Sequence, residues 1–155
     1  MRLQEAQHML EHAYRQGRLA HAYLVTGSPR GAAGELALYL LRLLACRAPE
    51  PPCGECNICR QVTARTWCDN FWLAPRKKSR VISIDQLRHA GRSSSGDGPL
   101  LLPWLNNTSF AGGWKAAVIE WADRFNEAAG NAFLKMLEEP PRDTVMLLLT
   151  EAPQA

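Results

Sequence analysis

The segment from residue 22 to Cys46 limits the folds that this chain can adopt. An apolar run over Ala22–Thr26 predicts a short buried strand, and a glycine-rich turn that begins at Gly27 and Ser28 follows it directly. Apolar residues then recur at helical spacing as far as Cys46. A strand, a tight turn and a buried helix in succession are typical of α/β proteins, in which helices cover a parallel sheet.

The glycine-rich turn has the setting of a Walker A loop but lacks the residues that such a loop needs. A working loop places Gly-Lys-Ser/Thr just before the helix, where the lysine contacts the β- and γ-phosphates and the hydroxyl group binds Mg²⁺. Counting from Gly27 puts Ala33 and Gly34 at the last two positions. Aligning on Gly31 instead puts Gly34 and Glu35 there, and the Glu35 carboxylate would repel a triphosphate. The sequence therefore predicts a degenerate nucleotide site, and no ATP is expected in it.

A second segment would complete a nucleotide site of this kind. The run Trp114–Ile119 predicts a buried strand, and Glu120 and Trp121 follow it. In a working NTPase the first of these two positions holds a carboxylate that helps to bind Mg²⁺, and the second holds the base that activates water. Glu120 keeps a carboxylate, but Trp121 cannot accept a proton. Either segment alone also fits a chain that never bound a nucleotide, whereas the two together favour a lost site.

The rest of the chain alternates between helical and strand patterns, which predicts a parallel sheet. The expected elements are helices over residues 2–16 and 126–138 and strands over 71–73, 81–84 and 144–150. Asp85 is expected to cap a further helix that starts at Gln86, before a turn-rich break over 91–99. Asn126 is expected to cap the helix that ends at Glu138. The residues expected to face inward on that helix are Ala129, Phe133, Leu134 and Leu137.

Four cysteines close in sequence predict a metal site. Three of them follow one another at CxxC spacing, where Gly54 eases the first turn, and the fourth lies a short loop upstream. The expected ligands are Cys46, Cys53, Cys56 and Cys59. A four-sulfur shell suits structural Zn²⁺, in a module over about residues 46–60, and leaves no open position for a catalytic water. Disulfides are the alternative, but a cytosolic chain favours the metal. The fifth cysteine, Cys68, is expected to be a buried, inert thiol.

Composition and charge narrow the functional class. The chain has 155 residues, of which 46% are hydrophobic, enough for one domain with a sizeable core. It carries 18 lysine and arginine residues against 15 acidic ones, and the formal net charge of +3 is too small to argue for nucleic-acid binding by itself. No apolar run has the length of a membrane-spanning helix, and the first residues lack the apolar core of a signal peptide. We therefore expect a cytoplasmic protein without a membrane partner.

Several motifs together resemble the subunits of the bacterial DNA polymerase III clamp loader. They occur along nearly the whole chain, as Arg18-Leu-Ala-His-Ala-Tyr-Leu, Pro29-Arg-Gly, the cysteine cluster, Ile84-Asp-Gln-Leu-Arg, Gly112-Gly-Trp-Lys, Ala122-Asp-Arg and Ala129-Gly-Asn-Ala-Phe-Leu-Lys-Met-Leu-Glu-Glu-Pro-Pro. The last motif is similar to the family's highly specific signature Ala-Ala-Asn-Ala-Leu-Leu-Lys-x-Leu-Glu-Glu-Pro-Pro. The resemblance implies a P-loop NTPase-like AAA+ fold, a parallel sheet flanked by helices with an inserted zinc-binding module.

The resemblance also implies a place within the family. The γ/τ subunits keep intact Walker motifs, whereas the δ′ subunit often has degenerate ones. The missing lysine at Ala33 or Gly34, together with Trp121, is similar to the pattern of δ′. Such a subunit is a stator rather than an enzyme: it contacts the δ and γ/τ subunits and supports loading of the sliding clamp on primed DNA. Residues 1–155 would form the large, RecA-like AAA+ subdomain, and the lid and C-terminal collar domains would lie outside this sequence. Thr150 matches the sensor-1 position.

The departures of the chain from the family pattern include two that affect the candidate sites, and two other functions stay open. The glycine-rich turn carries an apparent extra residue near Ser28, and the loop from Cys46 to Cys53 is shorter than usual. The first alternative function is an ATP-hydrolysing subunit of the γ/τ type. The second is direct DNA binding, either through the basic loop over residues 76–80 or through the zinc-containing module.

Overall fold

The computed structural model describes residues 2–76, 79–88 and 100–151. Its strands are β1 (Ala22–Thr26), β2 (Asn70–Leu73), β3 (Lys115–Glu120) and β4 (Thr144–Thr150). Its helices are α1 (Leu3–Arg15), α2 (Ala32–Ala45), α3 (Asn57–Thr63), α4 (Leu101–Asn106) and α5 (Glu127–Glu138), with 3-10 turns at Ile84–Gln86 and Ala122–Arg124. Among the described residues the strands form one parallel sheet in the order β1-β4-β3-β2. The parallel α/β sheet predicted from the sequence is confirmed.

Helices cover both faces of the sheet, and this explains why the central strands β3 and β4 are apolar at every position between their two end residues. Alternate residues of these strands point to opposite faces. The residues that pack against α1, α2 and α3 are Ala116, Val118, Val145, Leu147 and Leu149. Those that pack against α4 and α5 are Ala117, Ile119 and Met146. Because all the strands are parallel, their carboxyl ends meet at one edge, where ligands bind in open α/β sheets.

Two buried ionisable side chains fix the segment between α4 and β3. The carboxylate of Asp69 is 1% exposed and accepts hydrogen bonds from the backbone N–H groups of Phe110, at 2.7 Å, and Ala111, at 2.9 Å. The ammonium group of Lys115 donates to the carbonyl oxygen of Asn107 at 2.5 Å, just past the end of α4. Burial lowers the pKa of Lys115. The sequence pattern indicated no structural role for either side chain.

The expected strand over residues 81–84 does not form. Ile82 makes a single bridge to Phe125, and Ser83 then begins the 3-10 turn Ile84–Gln86. Ser83 is the cap of this turn, through a capping box in which its backbone N–H donates to the side chain of Gln86 at 3.0 Å. Asp85 is therefore not the cap; it accepts a hydrogen bond from the Ser83 hydroxyl group at 2.8 Å. The turn-rich break over 91–99 lies outside the described residues.

Two expectations about burial are also wrong. β1 forms where it was predicted, but it is an edge strand among the described strands, and Leu24 is 57% exposed. On α5 the Asn126 cap is confirmed, because its side chain accepts a hydrogen bond from the N–H of Ala129 at 2.8 Å. Leu134, expected to face inward, is 57% exposed because it lies one position beyond the stripe that contains Ala129 and Phe133.

Candidate functional site

The four predicted cysteine ligands come together at the end of α2. Cys46 directly follows this helix, Cys53 and Cys56 lie in the next loop, and Cys59 lies in the first turn of α3. Their sulfur atoms all lie within 4.8 Å of one another, with Sγ–Sγ distances of 3.6 Å from Cys46 to Cys53 and 4.0 Å from Cys53 to Cys59. Tetrahedral zinc with Zn–S bonds of about 2.3 Å requires sulfur atoms about 3.8 Å apart. The cluster therefore has the size of a metal site.

Backbone groups already point at the sulfur atoms. The N–H groups of Cys53, Cys56 and Cys59 donate to the sulfur of the preceding cysteine of the set at 3.5, 3.3 and 3.3 Å. Gly54 takes a φ of +76° with open space around its Cα atom, so the first CxxC turn uses the freedom that only glycine has. These bonds would stabilise thiolate ligands, so the donor set fits a structural metal ion.

The thiols differ in acidity because their surroundings differ. Backbone N–H groups, first that of Glu55 and then that of Cys56, lower the pKa of Cys53 to about 6. Burial raises the pKa of Cys59 to about 12. A bound metal ion would deprotonate every ligand thiol. Cys68 lies outside the cluster, and the expectation that it is buried is wrong, because the residue is exposed.

The glycine-rich turn is closed upon itself. It joins β1 to α2, and the N–H of Gly27 donates to the carbonyl oxygen of Thr150 at 2.9 Å. The carbonyl oxygen of Ser28 accepts from Gly31 at 2.9 Å and from Gly34 at 3.4 Å. The N–H groups of Gly31 and Gly34 therefore donate within the turn, whereas a working loop directs such groups at a phosphate.

Gly34 is the tightest point of this turn. A Cβ atom at this position would lie 2.1 Å from the carbonyl oxygen of Pro29, which is far inside van der Waals contact. Both alignments place Gly34 at a position where a working loop has lysine, serine or threonine. Ala33 is buried beside it, and the Cβ atom of Ala33 would lie 3.4 Å from a Cβ atom built on Gly27. Glu35 is exposed.

The carboxylate at the end of β3 is bound by an arginine. Glu120 accepts a hydrogen bond from the Arg65 guanidinium at 2.8 Å, and its side chain is 13% exposed. The same guanidinium lies over the ring of Trp72, 3.8 Å from the ring centroid. A cation of the chain thus lies where a Mg²⁺-associated carboxylate would need its metal ion. Trp121 follows in the left-handed region, with φ of 58°.

Thr150 and Asp123 meet at the same edge of the sheet. The Thr150 hydroxyl group donates to the carboxylate of Asp123 at 2.8 Å. Sequence analysis identified Thr150 but assigned no role to Asp123 or to Arg65. The contact between Arg65 and Glu120 joins residues 55 positions apart, and no local spacing could have indicated it.

Comparison with known proteins agrees with this fold and these motifs. A family model described as "DNA polymerase III, delta subunit" matches residues 3–155. The chain belongs to this family. Among similar proteins, a DNA polymerase III subunit delta' of Pseudomonas aeruginosa is 36% identical over 136 residues, which is 86% of this chain and 38% of that protein. The corresponding subunit of Escherichia coli is 33% identical over 144 residues, 92% of this chain and 40% of that protein.

Other similar proteins are named as a second type of DNA polymerase III subunit. A DNA polymerase III subunit tau of Escherichia coli is 29% identical over 140 residues. The match covers 89% of this chain and 20% of that protein. A solved structure of a gamma subunit-related protein from Thermotoga maritima has a TM-score of 0.57 at 22% identity, and the match covers 98% of this chain and 40% of that one. This likeness supports the α/β fold. The chain spans about two fifths of the length of the delta' relatives that it matches.

Proposed function

We propose that this chain is a δ′-type subunit of the DNA polymerase III clamp loader that does not hydrolyse ATP. It would contact the δ and γ/τ subunits and support loading of the sliding clamp on primed DNA in the cytoplasm. Membership of the family and the delta' names of two relatives support the assignment. None of the described helices is long and apolar enough to cross a membrane.

The closed turn at Gly34 is the observation that carries the proposal. Phosphoryl transfer depends on positioning the phosphates and on neutralising their charge, through the loop amides, a lysine and Mg²⁺. In this chain the carbonyl oxygen of Pro29 lies where a side chain at Gly34 would begin. Arg65 binds the carboxylate of Glu120, and Trp121 offers no base. The lysine and the general base are therefore missing, and the Glu120 carboxylate and the N–H groups of Gly31 and Gly34 are already bound within the chain.

The test of this function is an ATPase assay on the assembled complex. The chain is mixed with δ and γ/τ subunits, and clamp-dependent ATP turnover is measured with primed DNA. Glu120→Gln should leave turnover within about twofold of the unmodified complex, because Glu120 would bind no metal ion. A tenfold loss of turnover, or Mg²⁺-dependent ATP hydrolysis by the chain alone, would assign the chain to the ATP-hydrolysing type.

We also propose that the four cysteines hold one structural Zn²⁺ ion. The sulfur spacing and the three N–H to sulfur bonds support this, and Cys46 and Cys59 are both buried. The metal would join the end of α2 to the start of α3, so that its binding free energy stabilises the module. Elemental analysis should find one zinc ion per chain. Cys56→Ala should lose it, whereas the matched change Cys68→Ala should keep it. A metal-free, fully folded chain with a disulfide would contradict the assignment.

A further inference from the structure

A cavity of 680 Å³ opens at the carboxyl edge of the sheet, beside the closed glycine-rich turn. Its lining contains five arginines and one carboxylate, that of Glu120. The arginines come from four separate segments: Arg30 from the glycine-rich turn, Arg65 from the end of α3, Arg76 and Arg80 from the connection after β2, and Arg124 from the turn after β3. We call this site the arginine cavity. The tertiary structure gathers these charges from distant parts of the sequence.

Three of these arginines have acidic partners but remain accessible. Arg65 pairs with Glu120 at 2.8 Å, Arg76 with Asp85 at 3.3 Å and Arg124 with Asp123 at 3.6 Å; the arginine side chains are 47%, 44% and 51% exposed. Guanidinium groups have five N–H donors, so each keeps donors for a further anion.

The other two arginines lack an acidic partner within the described part of the chain. Arg30 and Arg80 are both exposed, and neither makes an ion pair there. Arg30 lies two residues before the first residue of α2, a helix of 14 residues. The positive end of this helix adds to the field around Arg30. Two cations without a partner at the rim of one cavity favour an anionic ligand.

Backbone conformation points to the same place. Four described residues other than glycine have positive φ, and three of them line the arginine cavity: Arg65 at 63°, Arg80 at 57° and Trp121 at 58°. Such conformations carry a cost for residues with a Cβ atom and cluster at binding and active sites. The loops around this cavity are therefore held in conformations that set the directions of two of its arginines.

We propose that the arginine cavity binds the clustered phosphates of a di- or triphosphate without a divalent cation. Guanidinium groups pair with phosphate oxygens through parallel N–H bonds, and they remain charged at any physiological pH. The volume is within the range of small-molecule sites and favours a compact polyphosphate over an extended nucleic-acid strand. This site goes beyond the proposed clamp-loader role and requires neither the missing lysine nor Mg²⁺.

The test is calorimetric titration of the full chain with inorganic triphosphate in the presence of EDTA, repeated with Mg²⁺ and with a short single-stranded oligonucleotide. Triphosphate should bind with one site per chain. The double variant R30Q/R80Q, which leaves every described carboxylate with its partner, should weaken binding about tenfold. Arg18→Gln is the matched control, because this exposed arginine precedes β1 at the opposite edge of the sheet, and it should change binding less than twofold.

The effect of Mg²⁺ separates this site from an ordinary nucleotide site. Mg²⁺ masks the charge of triphosphate, so it should weaken binding to a site made of cations, whereas a Walker-type site binds more tightly with the metal. Tighter binding with Mg²⁺, an affinity unchanged in R30Q/R80Q, or binding of the oligonucleotide but not of triphosphate would each overturn the proposal. Thermal melting of each variant confirms folding. No hydrolysis is measured in this test. Triphosphate binding can therefore be absent while the clamp-loader role is correct, and it can be present while that role is wrong.

Discussion

Gly34→Ala tests most directly whether the glycine-rich turn is closed. The added methyl group would meet the carbonyl oxygen of Pro29 at 2.1 Å, and this oxygen belongs to the backbone, so α2 or the turn has to move. Overpacking of this kind costs about 1–3 kcal/mol. Replacing glycine by alanine within a helix contributes about 0.5–1 kcal/mol in the opposite direction. We therefore expect Gly34→Ala to be destabilising overall.

Gly130→Ala is the matched control. Gly130 lies in α5, and a Cβ atom there would meet its nearest neighbour, the Cβ atom of Phe125, at an ordinary 3.9 Å. The same substitution should therefore stabilise the protein by about 0.5–1 kcal/mol. Both changes reduce the freedom of the unfolded chain alike, so the difference between the two variants isolates the contact with Pro29.

The assay is thermal unfolding of both variants beside the unmodified chain. A difference of about 1–3 kcal/mol corresponds to roughly 3–9 °C between the two melting temperatures for a domain of this size. If Gly34→Ala melts at or above the temperature of Gly130→Ala, the turn has room for a side chain. The argument for a closed phosphate loop would then fail, and Gly34→Lys would become a reasonable route to nucleotide binding.

Four further substitutions test the fold by chemical denaturation. Asn126→Ala removes the cap of α5 and should cost about 1 kcal/mol; no measurable loss would show that the cap bond contributes nothing. Asp69→Asn replaces a buried carboxylate that accepts two N–H bonds and should cost about 1–3 kcal/mol; an unchanged midpoint would refute its role. Leu147→Ala in buried β4 should cost about 2–5 kcal/mol, whereas Leu24→Ala in β1 should cost less than about 1 kcal/mol because Leu24 is half exposed. Equal losses would show that β1 is covered in solution.

Sequence reasoning succeeded where the structure depends on local pattern. The CxxC spacing brings Cys53, Cys56 and Cys59 close together through the geometry of two tight turns, whatever the rest of the chain does. Buried parallel strands such as β3 and β4 read as continuous apolar runs for the same reason, because both of their faces are covered. The strand predicted over residues 81–84 was wrong. The segment has the composition of a strand, yet the capping box at Ser83 starts a 3-10 turn there.

The sequence by itself determined the parallel α/β class, the cluster of four cysteines and the absence of a Walker lysine, since residue type and short-range spacing are sufficient for each. Only the tertiary structure decided what surrounds the glycine-rich turn and the end of β3. The Pro29 carbonyl oxygen closes the turn at Gly34, Arg65 reaches Glu120 across the sheet edge, and arginines from four segments surround one cavity. Parallel strands bring their carboxyl ends to a common edge, so residues far apart in sequence meet there. No local sequence pattern predicts which of these residues come into contact.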